Sequence, residues 1–131
     1  MASVEIKYKD SRRISKSSRS LETASNKLAS LKCMYLNATS LVNKLDEFKV
    51  VLNTYHPEIV AVSETWFRGD LIADVPGYKI YRKDRSDGRN GGGVCIYIKD
   101  SIDSYELVDG GFNLSKIEQI WAVIYFGHEK Y

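Results

Sequence analysis

Two short apolar runs separated by one amphipathic segment constrain this chain more than anything else in it. Leu31-Lys32-Cys33-Met34-Tyr35-Leu36 runs out into Asn37, and Ile59-Val60-Ala61-Val62-Ser63 runs out into Glu64. Between them Leu41, Leu45, Phe48, Leu52 and Tyr55 recur at steps of four and three, with Lys44, Asp46, Glu47 and Lys49 off that stripe. This periodicity predicts one helix. Thr39 or Ser40 is the expected N-cap, and Pro57 the stop, because the residue before a proline is pushed out of the α region. A strand–helix–strand connection of this length lays its strands parallel. Asn37 and Glu64 would then come to one rim of a sheet, where α/β folds bind ligands.

The second half reads as short strands joined by turns. Tyr78–Arg82 alternates, Val94–Ile98 and Ile120–Tyr125 are apolar, and Tyr105–Val108 is a further candidate. Pro76-Gly77 and Gly110-Gly111 mark turns. The expected class is α/β with a mixed sheet. Residues 1–30 differ in kind. They are rich in serine and basic residues, with few apolar positions and no sustained period beyond a weak helical turn near Leu21–Leu28. Such a stretch buries too little surface to offset its ordering entropy. It is expected to be a mostly disordered leader, either inert or an electrostatic tether to phosphate backbones. Residues 31–131 form the domain.

Composition excludes little but narrows the setting. The 131 residues carry a formal charge of +2, too small to argue for nucleic acid by itself, and no apolar run approaches the roughly 18 residues of a membrane span. With no signal-like N-terminus, an intracellular site, the nucleus included, is expected. Arg68-Gly69-Asp70 is then read as an ordinary loop and not an adhesion motif. Cys33 and Cys95 are expected to be buried free thiols.

Asn37 and Glu64 are the leading chemical candidates. Taken singly, a strand-ending Asn caps a turn and a strand-ending Glu is solvated. Together on one rim, a carboxylate suits a hard divalent cation and an amide can donate to a phosphate oxygen, which points to metal-assisted attack on a phosphodiester. Gly91-Gly92-Gly93 lacks the P-loop and dinucleotide patterns, and its simplest reading is close backbone approach before a strand. Arg82 and Arg85 either are solvated or hold a nucleic-acid backbone. His56 sits at a helix end and His128 beside Glu129; neither has the setting of a general base.

Several of these segments occur in a familiar order: Leu36-Asn37-Ala38-Thr39-Ser40-Leu41-Val42-Asn43-Lys44, Pro57 to Phe67 through Ser63-Glu64-Thr65-Trp66, Gly77-Tyr78 with Arg82-Lys83-Asp84-Arg85, Gly91 to Ile98, and Glu118 to Val123. Over residues 31–131 the series resembles the endonuclease/exonuclease/phosphatase family. It is most similar to the endonuclease domains that precede reverse transcriptase in jockey-like non-LTR retrotransposons. The resemblance implies the N-terminal half of a two-layered, DNase I-like α/β sandwich and Mg²⁺- or Mn²⁺-dependent hydrolysis of DNA phosphodiesters. It makes Asn37 a catalytic amide, Glu64 a catalytic, metal-binding carboxylate, and Arg82, Arg85 and Gly92 rim elements beside DNA.

The resemblance also implies partners: DNA, a downstream reverse transcriptase domain, and no membrane. The family's second half supplies an active-site Tyr, an Asp-x-Asn pair and an Asp-His, none of which matches here. A general acid or base alone contributes about 10²–10⁴-fold, so the chain is expected not to turn over alone. One sheet is expected to lack its partner, giving marginal stability or self-association. The rival readings are a phosphatase or lipid phosphodiesterase of the same superfamily, and a non-catalytic nucleic-acid-binding remnant.

Overall fold

The computed structural model describes residues 2–8, 31–108 and 118–126. In chain order the elements are β1 (Ala2–Tyr8), β2 (Cys33–Asn37), a 3-10 turn (Val42–Lys44), α1 (Leu45–Tyr55), β3 (Ile59–Ser63), β4 (Tyr78–Lys83), β5 (Val94–Lys99), β6 (Ser104–Glu106) and β7 (Ile120–Phe126).

Strand β5 is the seam on which two layers are built. Every residue from Val94 to Ile98 is buried, and the strand alternates between two cores, as a period of two dictates. Cys95 and Tyr97 face α1 with Val60, Val62, Phe48 and Leu52. Val94, Ile96 and Ile98 face Ile120, Ala122 and Ile124 of β7 and Ala2 and Val4 of β1. Two sheets result. One has the order β2-β3-β5-β4 and the other β1-β7-β6. Strands β2 and β3 are parallel with Asn37 opposite Ser63, and the β3–β5 and β5–β4 pairs are antiparallel. The helix covers one face of the four-stranded sheet and the three-stranded sheet covers the other. The class is therefore α/β with mixed sheets, as the strand–helix–strand pattern predicts.

The helix side is a conventional apolar core. Leu52 is fully buried and Phe48 stacks, tilted, on Tyr97 with ring centroids 5.1 Å apart. Burial of a Leu or Phe side chain contributes about 1.5–3 kcal/mol. The Tyr97 hydroxyl donates to the Ala73 carbonyl at 2.7 Å, so the one polar atom of that ring is satisfied where it is buried. Burial pushes the Tyr97 hydroxyl and the Cys95 thiol well above their ordinary pKa values.

The structure departs from the sequence reading at five places. Residues 2–8 are a strand and not disordered leader: Ala2–Tyr8 pairs parallel with Ile120–Phe126, a pairing invisible to composition because its partner lies over a hundred residues away. The expected helical turn near Leu21–Leu28, the Gly110-Gly111 turn and His128 lie outside the described residues. Thr39 and Ser40 do not cap the helix; both have left-handed backbones (φ 44° and 80°), and α1 starts later, after the 3-10 turn, with no side-chain cap. Its C-terminus is closed by His56 in a left-handed conformation, with its N–H bonded to the Leu52 carbonyl at 2.9 Å.

Tyr55 leaves the predicted stripe and is 60% exposed, because the helix ends at that residue. Cys33 is exposed, not buried. It lies on the inter-sheet side of edge strand β2, and the three-stranded sheet does not extend that far; Tyr35, on the same side, is 66% exposed. The four-stranded sheet is thus not left without a partner: β1 packs on β3 and β5, β7 on β5 and β4, and the bare strip is on β2.

Candidate active-site rim

The parallel β2–β3 pair brings its two C-terminal ends together, and the chain fixes them to each other with backbone hydrogen bonds. Ala38 N–H donates to the Ser63 carbonyl at 2.9 Å, Ser40 N–H to Glu64 at 2.9 Å, and Leu41 N–H to Thr65 at 3.0 Å. Residues 37–41 and 63–65 therefore run side by side beyond the sheet. Asn37 and Glu64, predicted as a rim pair, are brought to one edge. Lys44 holds the first loop by donating from Nζ to the Ala38 carbonyl at 2.7 Å. The Asn37 Oδ1 accepts from the Thr39 hydroxyl at 3.3 Å, while its NH₂ makes no hydrogen bond among the described residues. On the same side of the sheet the Tyr35 and Ser63 hydroxyls share a hydrogen bond of 2.7 Å.

Four of the five left-handed non-glycine residues among those described stand on this rim: Thr39, Ser40, Glu64 and Trp66. Each such residue costs about 1–3 kcal/mol and persists only where its surroundings over-determine it. Here they are over-determined by a third segment. Trp66 N–H donates to the Gly92 carbonyl at 2.8 Å and Thr65 N–H to Gly93 at 3.3 Å. The indole Nε1–H of Trp66 donates to Oε1 of Glu64 at 3.1 Å.

The three glycines answer three separate neighbours. A Cβ on Gly91 would lie 3.3 Å from the Trp66 Nε1, on Gly92 2.3 Å from the Arg85 Nε, and on Gly93 2.5 Å from the Thr65 Oγ1. Close backbone approach, and not a phosphate cradle, is what the run of glycines provides.

Arg85 closes the arrangement from below. Its Nε pairs with Glu118 Oε2 at 2.5 Å and its Nη1 donates to the Asn90 carbonyl at 3.0 Å, while the other Glu118 oxygen accepts the Gly93 N–H at 2.9 Å. The Arg85 hydrogen bond, with that of Gly93, holds the Glu118 carboxyl below its ordinary pKa; Glu118 in turn raises that of Arg85. Arg82 lies further down β4. Its guanidinium donates to Leu71 O at 2.6 Å, Gly69 O at 3.1 Å and Asp84 Oδ2 at 2.9 Å, and stands over the Phe67 ring. It anchors the Arg68-Gly69-Asp70 loop through the Leu71 and Gly69 carbonyls. Arg85 and Gly92 are neighbours: two of the Arg85 donors, Nε and Nη1, are taken by Glu118 and Asn90, and a Cβ on Gly92 would meet the guanidinium.

The other groups are elsewhere. His56 precedes β3, whereas Glu64 follows it, so the length of a five-residue strand, about 17 Å, separates them. An open depression of about 530 Å³, lined by Lys49, Asp74, Lys79 and Asp100 among others, lies at that opposite end of the sheet. Among the described residues no cluster of three or more His, Cys, Asp or Glu could hold a metal ion, and no helix is long and apolar enough to cross a membrane.

Glu118, Trp66 and Thr65 form the rim's scaffold, and sequence reasoning gave them no role. A triple glycine signals a close approach, but nothing in the sequence says what approaches.

No protein-family model matches the sequence, and no curated protein matches it. Among solved structures, the chain is similar to the crystal structure of the AP endonuclease LMAP from Leishmania major. The TM-score is 0.53 and the identity 16%, over 63% of this chain and 30% of that one. At such identity the likeness shows the fold: α/β with mixed sheets, of the DNase I-like kind, over part of the chain. The match spans less than a third of that neighbour's length.

Proposed function

We propose that this chain supplies the amide-and-acid rim of a divalent-cation-dependent phosphodiesterase that acts on DNA. The observation that carries the reading is the locking of Asn37 and Glu64 onto one edge by strained, cross-bonded loops, on a fold shared with an AP endonuclease. Strain gathered at a strand end is the usual mark of a site and is not needed for packing.

The donor set fits a hard cation that keeps most of its water. Glu64 supplies one carboxylate, and Mg²⁺ is commonly held by one or two carboxylates with water in its other positions. Glu64 would hold the ion, Mg²⁺ or Mn²⁺. When bound, such an ion polarises a phosphoryl oxygen and lowers the pKa of water. The chain's own part is positioning. Asn37, its carbonyl turned to Thr39, offers its NH₂ to a phosphate oxygen. The Glu118–Arg85–Gly93 contacts keep the glycine loop seated so that Glu64 and Trp66 hold their backbone.

The Asn-Ala-Thr-Ser-Leu and Glu-Thr-Trp-Phe segments support a retrotransposon-type endonuclease working beside a reverse transcriptase domain. Among the described residues no imidazole stands by Glu64, so turnover by this chain alone is proposed to be negligible. The test is nicking of supercoiled and abasic DNA with Mg²⁺, together with binding of the same DNA. The expected result is Mg²⁺-dependent DNA binding that Glu64→Gln and Asn37→Ala both weaken, without nicking above an EDTA blank. Nicking that Glu64→Ala removes would keep the nuclease but refute the inactivity. DNA binding indifferent to Mg²⁺ and to both substitutions would refute the reading, and hydrolysis of phosphoinositides in place of DNA would move it to the lipid branch.

A further inference from the structure

The indole of Trp66 combines features that packing does not require. Its backbone is left-handed (φ 61°), an outlier for so bulky a residue. It remains 38% exposed, so burial does not explain it. Glu64, two residues earlier, is left-handed as well (φ 58°), with the fully buried Thr65 between them. This pair of inversions brings side chains 64 and 66 together, and the indole N–H reaches the carboxylate. Gly91 supports the indole from behind: a Cβ there would sit 3.3 Å from Nε1. The Trp66 backbone is in turn held by Gly92.

An indole N–H is a donor only and can serve one oxygen. It takes Oε1 of Glu64, while Oε2 makes no hydrogen bond among the described residues. We propose that Trp66 is a positioning residue for a divalent cation: its N–H fixes Oε1 and so sets the carboxylate plane, leaving Oε2 to face the ion. This rests on the reading of Glu64 as the cation's ligand. Partners that orient a metal ligand are worth about 10–100-fold in affinity.

The test is calorimetric titration of the chain with Mn²⁺, for the unmodified protein, Trp66→Phe, Glu64→Gln and the double variant. Trp66→Phe keeps an aromatic ring at the position and removes the N–H together with the indole's second ring. The expected result is at least a tenfold loss of Mn²⁺ affinity in Trp66→Phe, with loss of binding in Glu64→Gln and no further effect of Trp66→Phe in that background. Binding lost in Glu64→Gln but unchanged in Trp66→Phe overturns this proposal and leaves the Glu64 reading standing. Binding indifferent to Glu64→Gln overturns both.

A second readout needs no change at position 66. The Nε1–H resonance of Trp66, told from that of Trp121 by Trp121→Phe, is expected downfield and shifts on Mg²⁺ addition. Glu64→Gln moves it back and abolishes the Mg²⁺ response. A resonance unmoved by either refutes the bond, whether or not Trp66→Phe folds.

Discussion

Gly93→Ala places a methyl group where the rim has no room for one, and the cost can be worked out in two parts. The first is conformational. Gly93 has φ of 90°, and an L-residue in the left-handed region costs about 1–2 kcal/mol. The second is steric. The new Cβ would stand 2.5 Å from the Oγ1 of Thr65, a residue with no exposed surface, and 3.7 Å from two backbone atoms. Thr65 cannot swing into solvent, so relief requires a backbone shift, and overpacking of this kind costs about 1–3 kcal/mol.

The sum is about 2–5 kcal/mol, a large share of the about 5–15 kcal/mol by which domains are stable. Gly88→Ala isolates the first part, since Gly88 has φ of 85° but nothing within 4 Å of a built Cβ. Urea denaturation reads both as a fall in midpoint at constant slope. Gly93→Ala is expected to lose about 1–3 kcal/mol more than Gly88→Ala. Thr65→Ala is expected to recover part of that excess in the double variant, because it removes the opposing oxygen. Equal losses at positions 88 and 93, or strict additivity with Thr65→Ala, would refute the close approach of the glycine loop to the Glu64–Trp66 segment.

Glu118 sets a pH dependence. Its carboxyl is held below its ordinary value, first by Arg85, so its contribution is present above the unfolded pKa near 4.3 and is lost as pH falls through the lower folded value. Urea midpoints are expected to fall on acidification below about pH 5, and less steeply in Glu118→Gln; identical acid profiles contradict the Arg85 clamp. Arg82→Met is expected to cost about 2–3 kcal/mol by leaving the Leu71 and Gly69 carbonyls without their charged donor, with DNA binding by anisotropy unchanged; a loss of binding at full stability would assign Arg82 to the DNA. Cys33 alone is expected to react with a thiol reagent in the folded chain, slowly at neutral pH because desolvation and Glu58 raise its pKa, and Cys95 only after denaturation. Two thiols reacting in the native state would contradict the buried seam.

The part of the fold that sequence makes legible is the part governed by short-range pattern. The stripe of Leu41, Leu45, Phe48 and Leu52 and the doubly apolar run of β3 each state their surroundings within a few residues, and Asn37 and Glu64 follow as the ends of that unit. Strand β1 was hidden because Ala2–Tyr8 has meaning only against the edge of β7. The roles of Arg82 and Arg85 were hidden for a similar reason. A charged strand end has the same appearance whether it meets water, a phosphate, or, as here, carbonyls and a carboxylate up to 33 residues away. Thr39 and Ser40 have the composition of a helix cap, yet the backbone bonds to Glu64 and Thr65 claim that loop first. Cys33 looked buried because a strand's apolar neighbours do not reveal that it lies at an edge.

As proposed above, Asn37 and Glu64 on one edge of the sheet would serve a single hydrated cation. Paramagnetic broadening by Mn²⁺, followed on the chain's side-chain N–H resonances, tests it most directly. Substoichiometric Mn²⁺ is expected to broaden the Asn37 amide and the Trp66 indole first, and Glu64→Gln to restore both. Broadening centred instead on Asp74 and Asp100 at the opposite end of the sheet, or persisting at Asn37 in Glu64→Gln, would contradict it.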